Sequence, residues 1–321
     1  MKTLIKNGLL IDPANQVQAY LNLILEDGKV VAVTEEEPEA DRVIDATGKV
    51  VAPGFIDIHM HEDPVKDGKI EFCIFDAMLR MGVTTAVGGN CGINVYDPVK
   101  YLDMVEKDGA PVNVMLFAGH QYFREAAGAL DKYAPVTKEQ QEHMKKGLEK
   151  ALEAGCVGIS YGLRYVPGTG RDEFLDTASC CEKEHRMISA HVRDDEDRVF
   201  GAVAEVAEAG KLYNIPVQVS HIGSMAGFGQ MKQLLRQVDG YRMNGIDVAC
   251  DCYPYFAFST RIGATTYDDG WLERYHCDYS ACQLTEGKYK GQRCTPETFA
   301  EMRRDFPECL TVCYVMDEND I

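Results

Sequence analysis

The chain has 321 residues, 45% of them hydrophobic, which suffices for one large α/β barrel or two smaller domains. With 33 basic against 51 acidic side chains its formal net charge is −18, a field that repels phosphate backbones and argues against a nucleic-acid partner. No window approaches ~18 uninterrupted apolar residues, so no membrane span is expected.

The first residues, "MKTLIKNGLLIDPANQ", have no long apolar run and no small-residue cleavage site, so they are not expected to act as a signal peptide. The twelve cysteines, with Cys180 and Cys181 adjacent, are scattered in a way that suits reduced thiols in a cytoplasm. Residues 1–50 read as short strands: "TLIKNGLLI", "NLILEDGKVVAV" and "RVIDATGKVVAP". The Asp-Gly of "EDGK" supplies the positive backbone angles of a tight hairpin turn. The expectation is a small β domain over 1–50, followed by a barrel over 51–321.

From residue 51, short apolar runs alternate with helical stretches: "VVAPGFIDIH", "VTTAVGGN", "VNVMLFAG", "VGISYG", "MISAHV", "PVQVSH" and "DVACDCYPY". Between them, "TKEQQEHMKKGLEKALEAG" (137–155) opens on Thr137 and Gln140 in capping-box spacing and closes on Gly155. The segment 194–213 reads as a helix with acids at its start. Strands apolar on both faces, alternating with helices, form a parallel sheet. Seven such units in succession, with no GxGxxG after the first strand, favour an α/β (β/α)8 TIM-type barrel over a dinucleotide-binding fold.

Chemistry on such a barrel sits at the C-terminal ends of the strands. His59 and His61 end the first run, and their spacing of two puts both rings on one face of a strand. Cys91 follows the second run, His191 ends the fifth and His221 the sixth. A lone His-x-His or a lone cysteine is more often structural. It is the convergence on one rim that points to a metal, and imidazole with thiolate suits zinc. His143 and His185 fall in helices and read as surface residues. His276 lies near Cys277, Cys282 and Cys294 in a spacing that matches no standard zinc knuckle.

These motifs, together with "GVTTAVGGNCG", "GISYGLRYVPG", "AHVRDDED", "SHIGSMAG" and "CDCYPYFAFST", resemble the N-acyl-D-amino-acid deacylases (D-aminoacylases) of the amidohydrolase superfamily. The resemblance implies that Cys91, His191 and His221 hold a tightly bound Zn2+ and that His59 and His61 serve a second, weaker position. It implies that Tyr165, Tyr253 and Ser259 contact the carboxylate end of a small-molecule N-acyl amino acid, and that His120 and Arg124 are structural supports. The implied reaction is hydrolysis of an N-acyl amide, with the metal activating water and stabilising the oxyanion while a carboxylate passes a proton to the leaving amine.

The family's catalytic aspartate follows the last barrel strand in a Ser-Asp-Gly context, which is absent here. Counting strands alone would make "LTVCYVM" the eighth, with Asp317 as acid/base; the resemblance argues against that. The barrel is therefore expected to be incomplete at its C-terminal end, with an N-terminal piece of a β-sandwich and weak deacylase activity. Two alternatives stand beside this reading. One is a cyclic-amide hydrolase of the dihydroorotase or hydantoinase type, which would want a lysine in "VGISYG". The other is a non-catalytic metal-binding remnant.

Overall fold

Asp27 and Gly28 both take left-handed backbone angles, φ 50° and 78°, and turn the chain from strand to strand in two residues. The computed structural model that shows this describes residues 1–321. It divides into two compact units, Met1–Phe55 with Gly82–Thr84, and Ile56–Met81 with Thr85–Ile321.

The first unit contains β1 (Lys2–Lys6), β2 (Leu9–Asp12), β3 (Val17–Tyr20), β4 (Asn22–Glu26), β5 (Lys29–Thr34), β6 (Arg42–Asp45) and β7 (Val50–Val51). They form two sheets, ordered β5-β4-β1-β6 and β3-β2-β7. The run "TLIKNGLLI" is two strands rather than one, because Asn7 turns into the left-handed region (φ 65°) and sends β1 and β2 into different sheets. Leu10 and Ile24 are buried between half-buried neighbours, the in-and-out alternation expected of half-buried strands.

The chain continues through β8 (Phe55–Asp57), a short hairpin of β9 (Val65–Lys66) and β10 (Lys69–Ile70), α1 (Ile74–Arg80) and β11 (Val83–Gly88). Then come α2 (Pro98–Asp108), β12 (Asn113–Gly119), α3 (His120–Ala126), α4 (Lys138–Glu153), β13 (Gly158–Gly162), α5 (Arg171–Ala178) and β14 (Met187–His191). The series ends with α6 (Val199–Tyr213), β15 (Val217–Val219), α7 (Ile222–Ala226), α8 (Met231–Met243) and β16 (Val248–Cys250). The seven barrel strands lie in sequence order, β16-β15-β14-β13-β12-β11-β8, and every pair from β11 to β16 is parallel. This is a curled half-barrel sheet of the TIM-barrel type. All residues of β13 and β15 are buried, as a sheet covered on both faces requires.

Helix α4 has the expected capping box between Thr137 and Gln140, and Gly155 takes φ 111° just past its end. The helix expected over 194–213 begins only at Val199. Glu196, at φ 55°, opens a single 3₁₀ turn over Glu196–Arg198 that leads into it. His143 lies on α4 as expected, whereas His185 (φ 50°) stands in a turn.

Beyond β16 the parallel pattern stops. β17 (Phe258–Arg261), α9 (Trp271–Arg274), β18 (Cys282–Leu284), α10 (Pro296–Asp305) and β19 (Leu310–Cys313) form a separate insert, with an antiparallel sheet ordered β17-β19-β18. Its own core stacks Trp271 on Phe299 at 5.2 Å, with Tyr267 edge-on to both. The run "LTVCYVM" is therefore not an eighth barrel strand: its residues 310–313 are the central strand of this insert. Asp317 accepts the backbone N–H of Asn319 in a terminal turn, far in role from a barrel-rim carboxylate.

Candidate metal centre

The loop after β8 departs from a simple strand end. β8 stops at Asp57, whose carboxylate takes the backbone N–H of His59 at 3.0 Å, so His59 and His61 lie beyond the strand, not on one face of it. Their rings meet edge to face at 6.1 Å. Asp63 anchors the far end of this loop by accepting the N–H groups of Cys73, Ile74 and Phe75 at 3.1, 2.7 and 2.9 Å around the start of α1. Asn94 holds Glu62 at 2.7 Å.

Cys91 is presented by a tight turn in which Gly89, Cys91 and Gly92 all have positive φ (75°, 56° and 78°). A Cβ on Gly92 would lie 2.8 Å from the amide nitrogen of Gly162, and one on Gly89 would collide with the carbonyl of Phe117. Ser160 on β13 clasps the turn, accepting the N–H of Gly92 at 3.0 Å and donating to the carbonyl of Gly89. Asn90 donates to the carbonyls of Val87 (2.9 Å) and Ile58 (3.1 Å), tying the turn to the histidine loop.

His191 is the last residue of β14, and His221 follows β15 at φ 35°, where it begins α7. The Cys91 sulfur lies 3.5 Å from Nε2 of both His59 and His221. Two sets of side chains bring one ligand atom each to within 4.8 Å of one another: Cys91 with His191 and His221, and Cys91 with His59 and His61. Cys91 belongs to both.

The surroundings orient these ligands. Ser224 meets Nδ1 of His221 at 2.9 Å, which leaves Nε2 aimed at Cys91. Asp251 stands 3.2 Å from Nδ1 of His59, accepts the N–H of His221 at 2.7 Å and is held by Gln218 at 2.8 Å. Such outer partners fix the ring orientation and tautomer of metal-ligating histidines. Burial would raise the Cys91 thiol, but the imidazoles of His221, His191 and His59 outweigh it and hold the group well below its ordinary value. Burial and the neighbouring His221 depress His191 to about 4, so its ring is neutral. Its Nδ1 is buried without a hydrogen-bond partner. The Cys91 thiolate, the neutral His191 imidazole and its unpartnered ring nitrogen form a donor set that fits a divalent transition metal.

A cavity of about 630 Å³ opens over these ligands. Tyr165, Tyr253 and Ser259 line it, so the structure brings the three expected substrate contacts to the same chamber as all five candidate histidine and cysteine ligands. The Tyr165 ring lies 4.4 Å from that of His191. Burial pushes the Tyr253 hydroxyl up to about 12 and that of Tyr165 higher still, so both keep their protons as donors. His120 and Arg124 instead lie buried away from the cavity, where they pair with Glu173 at 3.0 and 2.7 Å. His276 is exposed and belongs to no group of converging ligands.

Asp251, Ser224 and Asp195 escaped the sequence reading. Asp251 directly follows β16, where the strand-end rule would have flagged it in "CDCYPY". Asp195 lines the cavity and takes Arg274 (3.0 Å) and the Tyr275 hydroxyl, a long-range arrangement with no local signature.

Residues 42–162 match the model of the Amidohydrolase family. The chain is 31% identical over 283 residues to the N-acyl-D-glutamate deacylase of Alcaligenes xylosoxydans xylosoxydans, covering 80% of this chain and 57% of that protein. It is 28% identical over 287 residues to the D-aminoacylase of the same organism, covering 81% and 58%. Among solved structures, the N-acyl-D-glutamate deacylase of Bordetella bronchiseptica, complexed with zinc and a phosphonate inhibitor, superposes with a TM-score of 0.83 at 27% identity, covering 99% of this chain and 72% of that one. The chain thus spans a little over half the length of the curated relatives. By sequence and fold together, it is similar to the N-acyl-D-amino-acid deacylases (D-aminoacylases) among the amidohydrolases.

Proposed function

We propose that this chain carries the metal centre and substrate chamber of a zinc-dependent hydrolase that cleaves the amide bond of N-acyl-D-amino acids. The observation that carries the reading is the convergence of Cys91, His191 and His221 at the floor of a cavity wide enough for a small amide. In this reading they hold the tightly bound zinc ion, and His59 with His61 serves a second, weaker position. The ion's chemistry is Lewis-acid polarisation of the amide carbonyl and activation of a water nucleophile near neutral pH.

The protein's own groups bind and orient. Tyr165, Tyr253 and Ser259 offer hydroxyls to the substrate carboxylate, and the protonated state of both tyrosines makes them donors at neutral pH. Asp251 and Ser224 keep His59 and His221 in place. The three carboxylates at the cavity are all engaged: Asp57 with the His59 N–H, Asp195 with Arg274 and Tyr275, Asp251 with His59 and Gln218. None of them is assigned the proton transfer to the leaving amine.

β13 presents Ser160 and Tyr161 and no lysine, which counts against a cyclic-amide hydrolase. Zinc-supplemented protein assayed on N-acetyl-D-methionine, its L-isomer and dihydroorotate separates the readings. Hydrolysis of the D-isomer alone is the expected result. Turnover of dihydroorotate alone would overturn it, and zinc binding with no turnover of any of the three would make the chain a metal-binding protein without this activity.

A further inference from the structure

The insert that covers the cavity holds a feature that the metal centre does not use. Cys282 on β18 and Cys313 on β19 are direct cross-strand partners, with their sulfur atoms 3.4 Å apart. Both are free thiols and both are fully buried in the insert's aromatic core. The ladder fixes what kind of site they occupy. Tyr314 donates to the carbonyl of Ala281 at 3.0 Å, and Thr285 donates to that of Leu310 at 3.1 Å. These bonds mark 281–314 and 285–310 as hydrogen-bonded pairs, so by strict alternation 282–313 is a non-hydrogen-bonded pair. Opposing Cα atoms at such a position are about 4.5 Å apart, within the roughly 4.4–6.8 Å that a disulfide spans. The peptide groups of Cys313 face the other way, toward β17, where its register partner Phe258 lines the cavity.

We infer that Cys282 and Cys313 are a redox-modifiable pair that closes to an intramolecular disulfide without repacking the sheet, tying the edge strand β18 to the strand that supports the cavity wall. The oxidant is a low-molecular-weight disulfide such as oxidised glutathione. One cysteine thiolate attacks a sulfur of that disulfide, forming a mixed disulfide and releasing one thiol. The second cysteine thiolate then attacks the protein sulfur of the mixed disulfide and releases the other thiol. Two protein thiols lose two electrons and two protons, and one external disulfide gains both. Because neither sulfur is exposed, exchange proceeds through opening of the edge strand and is slow relative to that of the exposed Cys252.

The test equilibrates the whole chain in glutathione buffers from reducing to oxidising, followed by acid quench, alkylation and tryptic mapping by mass. Cleavage at Lys288, Lys290 and Arg293 separates the two cysteines; because the two peptides also carry Cys277 and Cys309, fragmentation of the linked pair assigns the bond to Cys282 and Cys313. The expected result is one linked species containing Cys282 and Cys313, reversed by dithiothreitol and absent from C282S. It should be accompanied by slower proteolysis at Lys288–Arg293 in the oxidised form. C313S, which removes the other sulfur, should abolish the same peptide. If both cysteines of the wild-type chain remain fully alkylatable after unfolding from the most oxidising buffer, or if Cys282 is found linked to a different cysteine, the inference is wrong.

Discussion

Asp251 and His59 lie 3.2 Å apart, oxygen to Nδ1, although 192 residues separate them in the chain, and the same carboxylate oxygen also takes the backbone N–H of His221. One side chain at the end of β16 thereby sets the position of a histidine from the β8 loop and of another that opens α7. Replacing Asp251 by alanine should weaken metal binding by roughly 10–100-fold, the usual cost of losing an outer partner of this kind. Titration of the metal-free variant with zinc against a competing chelator measures it. Affinity equal to wild type would show that the contact does not orient the ligands.

The turn that presents Cys91 depends on glycine. Gly92→Ala forces a side chain into the left-handed region, at a cost of about 1–2 kcal/mol, and drives its Cβ to 2.8 Å from the Gly162 nitrogen. The expected variant folds, by circular dichroism, but holds less zinc than wild type after dialysis. Unchanged zinc content would mean that the turn tolerates the strain.

Glu173 pairs with His120 and Arg124 in the interior, with Arg124 1% and Glu173 4% exposed. Removing the carboxylate leaves a buried guanidinium unpaired, so Glu173→Ala should cost about 3–5 kcal/mol in urea unfolding. The pH dependence has a definite sign. Burial raises the Glu173 carboxyl, but the His120 hydrogen bond and Arg124 outweigh it and leave it below its ordinary value of 4.5. The folded chain therefore releases this proton more readily than the unfolded one. The stabilisation is fully present above that ordinary value and is lost as the pH falls through the lower, folded value. Urea midpoints between roughly pH 3 and 6 should fall less steeply toward acid in Glu173→Gln than in wild type; identical slopes would remove Glu173 from the acid response.

Tyr165 lines the cavity, and in the proposed function it donates to the substrate carboxylate. Tyr165→Phe should raise KM by roughly 10-fold or more, as loss of a hydrogen bond to a charged group does, while zinc content stays the same. A KM that does not move would assign the ring a packing role beside His191 only.

The parallel barrel and the convergence of the five candidate ligands were legible because both rest on local pattern. Apolar runs such as "VGISYG" and "PVQVSH" end in chemistry-bearing residues, and the strand-end rule converts that order into a common rim. What stayed hidden depends on distant partners. The sequence pattern places His59 and His61 on a strand, but Asp57 ends it early by capping the His59 N–H, so the two rings reach the centre from a loop. "LTVCYVM" looks like a barrel strand because an antiparallel insert strand has the same composition; only its pairing with β17 and β18 distinguishes the two. Ser224 and Asp195 are ordinary polar residues in sequence, and their roles come from His221, Arg274 and Tyr275 being brought beside them.

If Cys91, His191 and His221 form one metal site, elemental analysis of the purified, unsupplemented chain detects the ion they hold. About one tightly held zinc per chain is expected, lost in Cys91→Ala while the fold is retained by circular dichroism. Essentially no zinc in a folded wild-type chain even after zinc loading and dialysis, or a zinc content indifferent to Cys91→Ala, would contradict it.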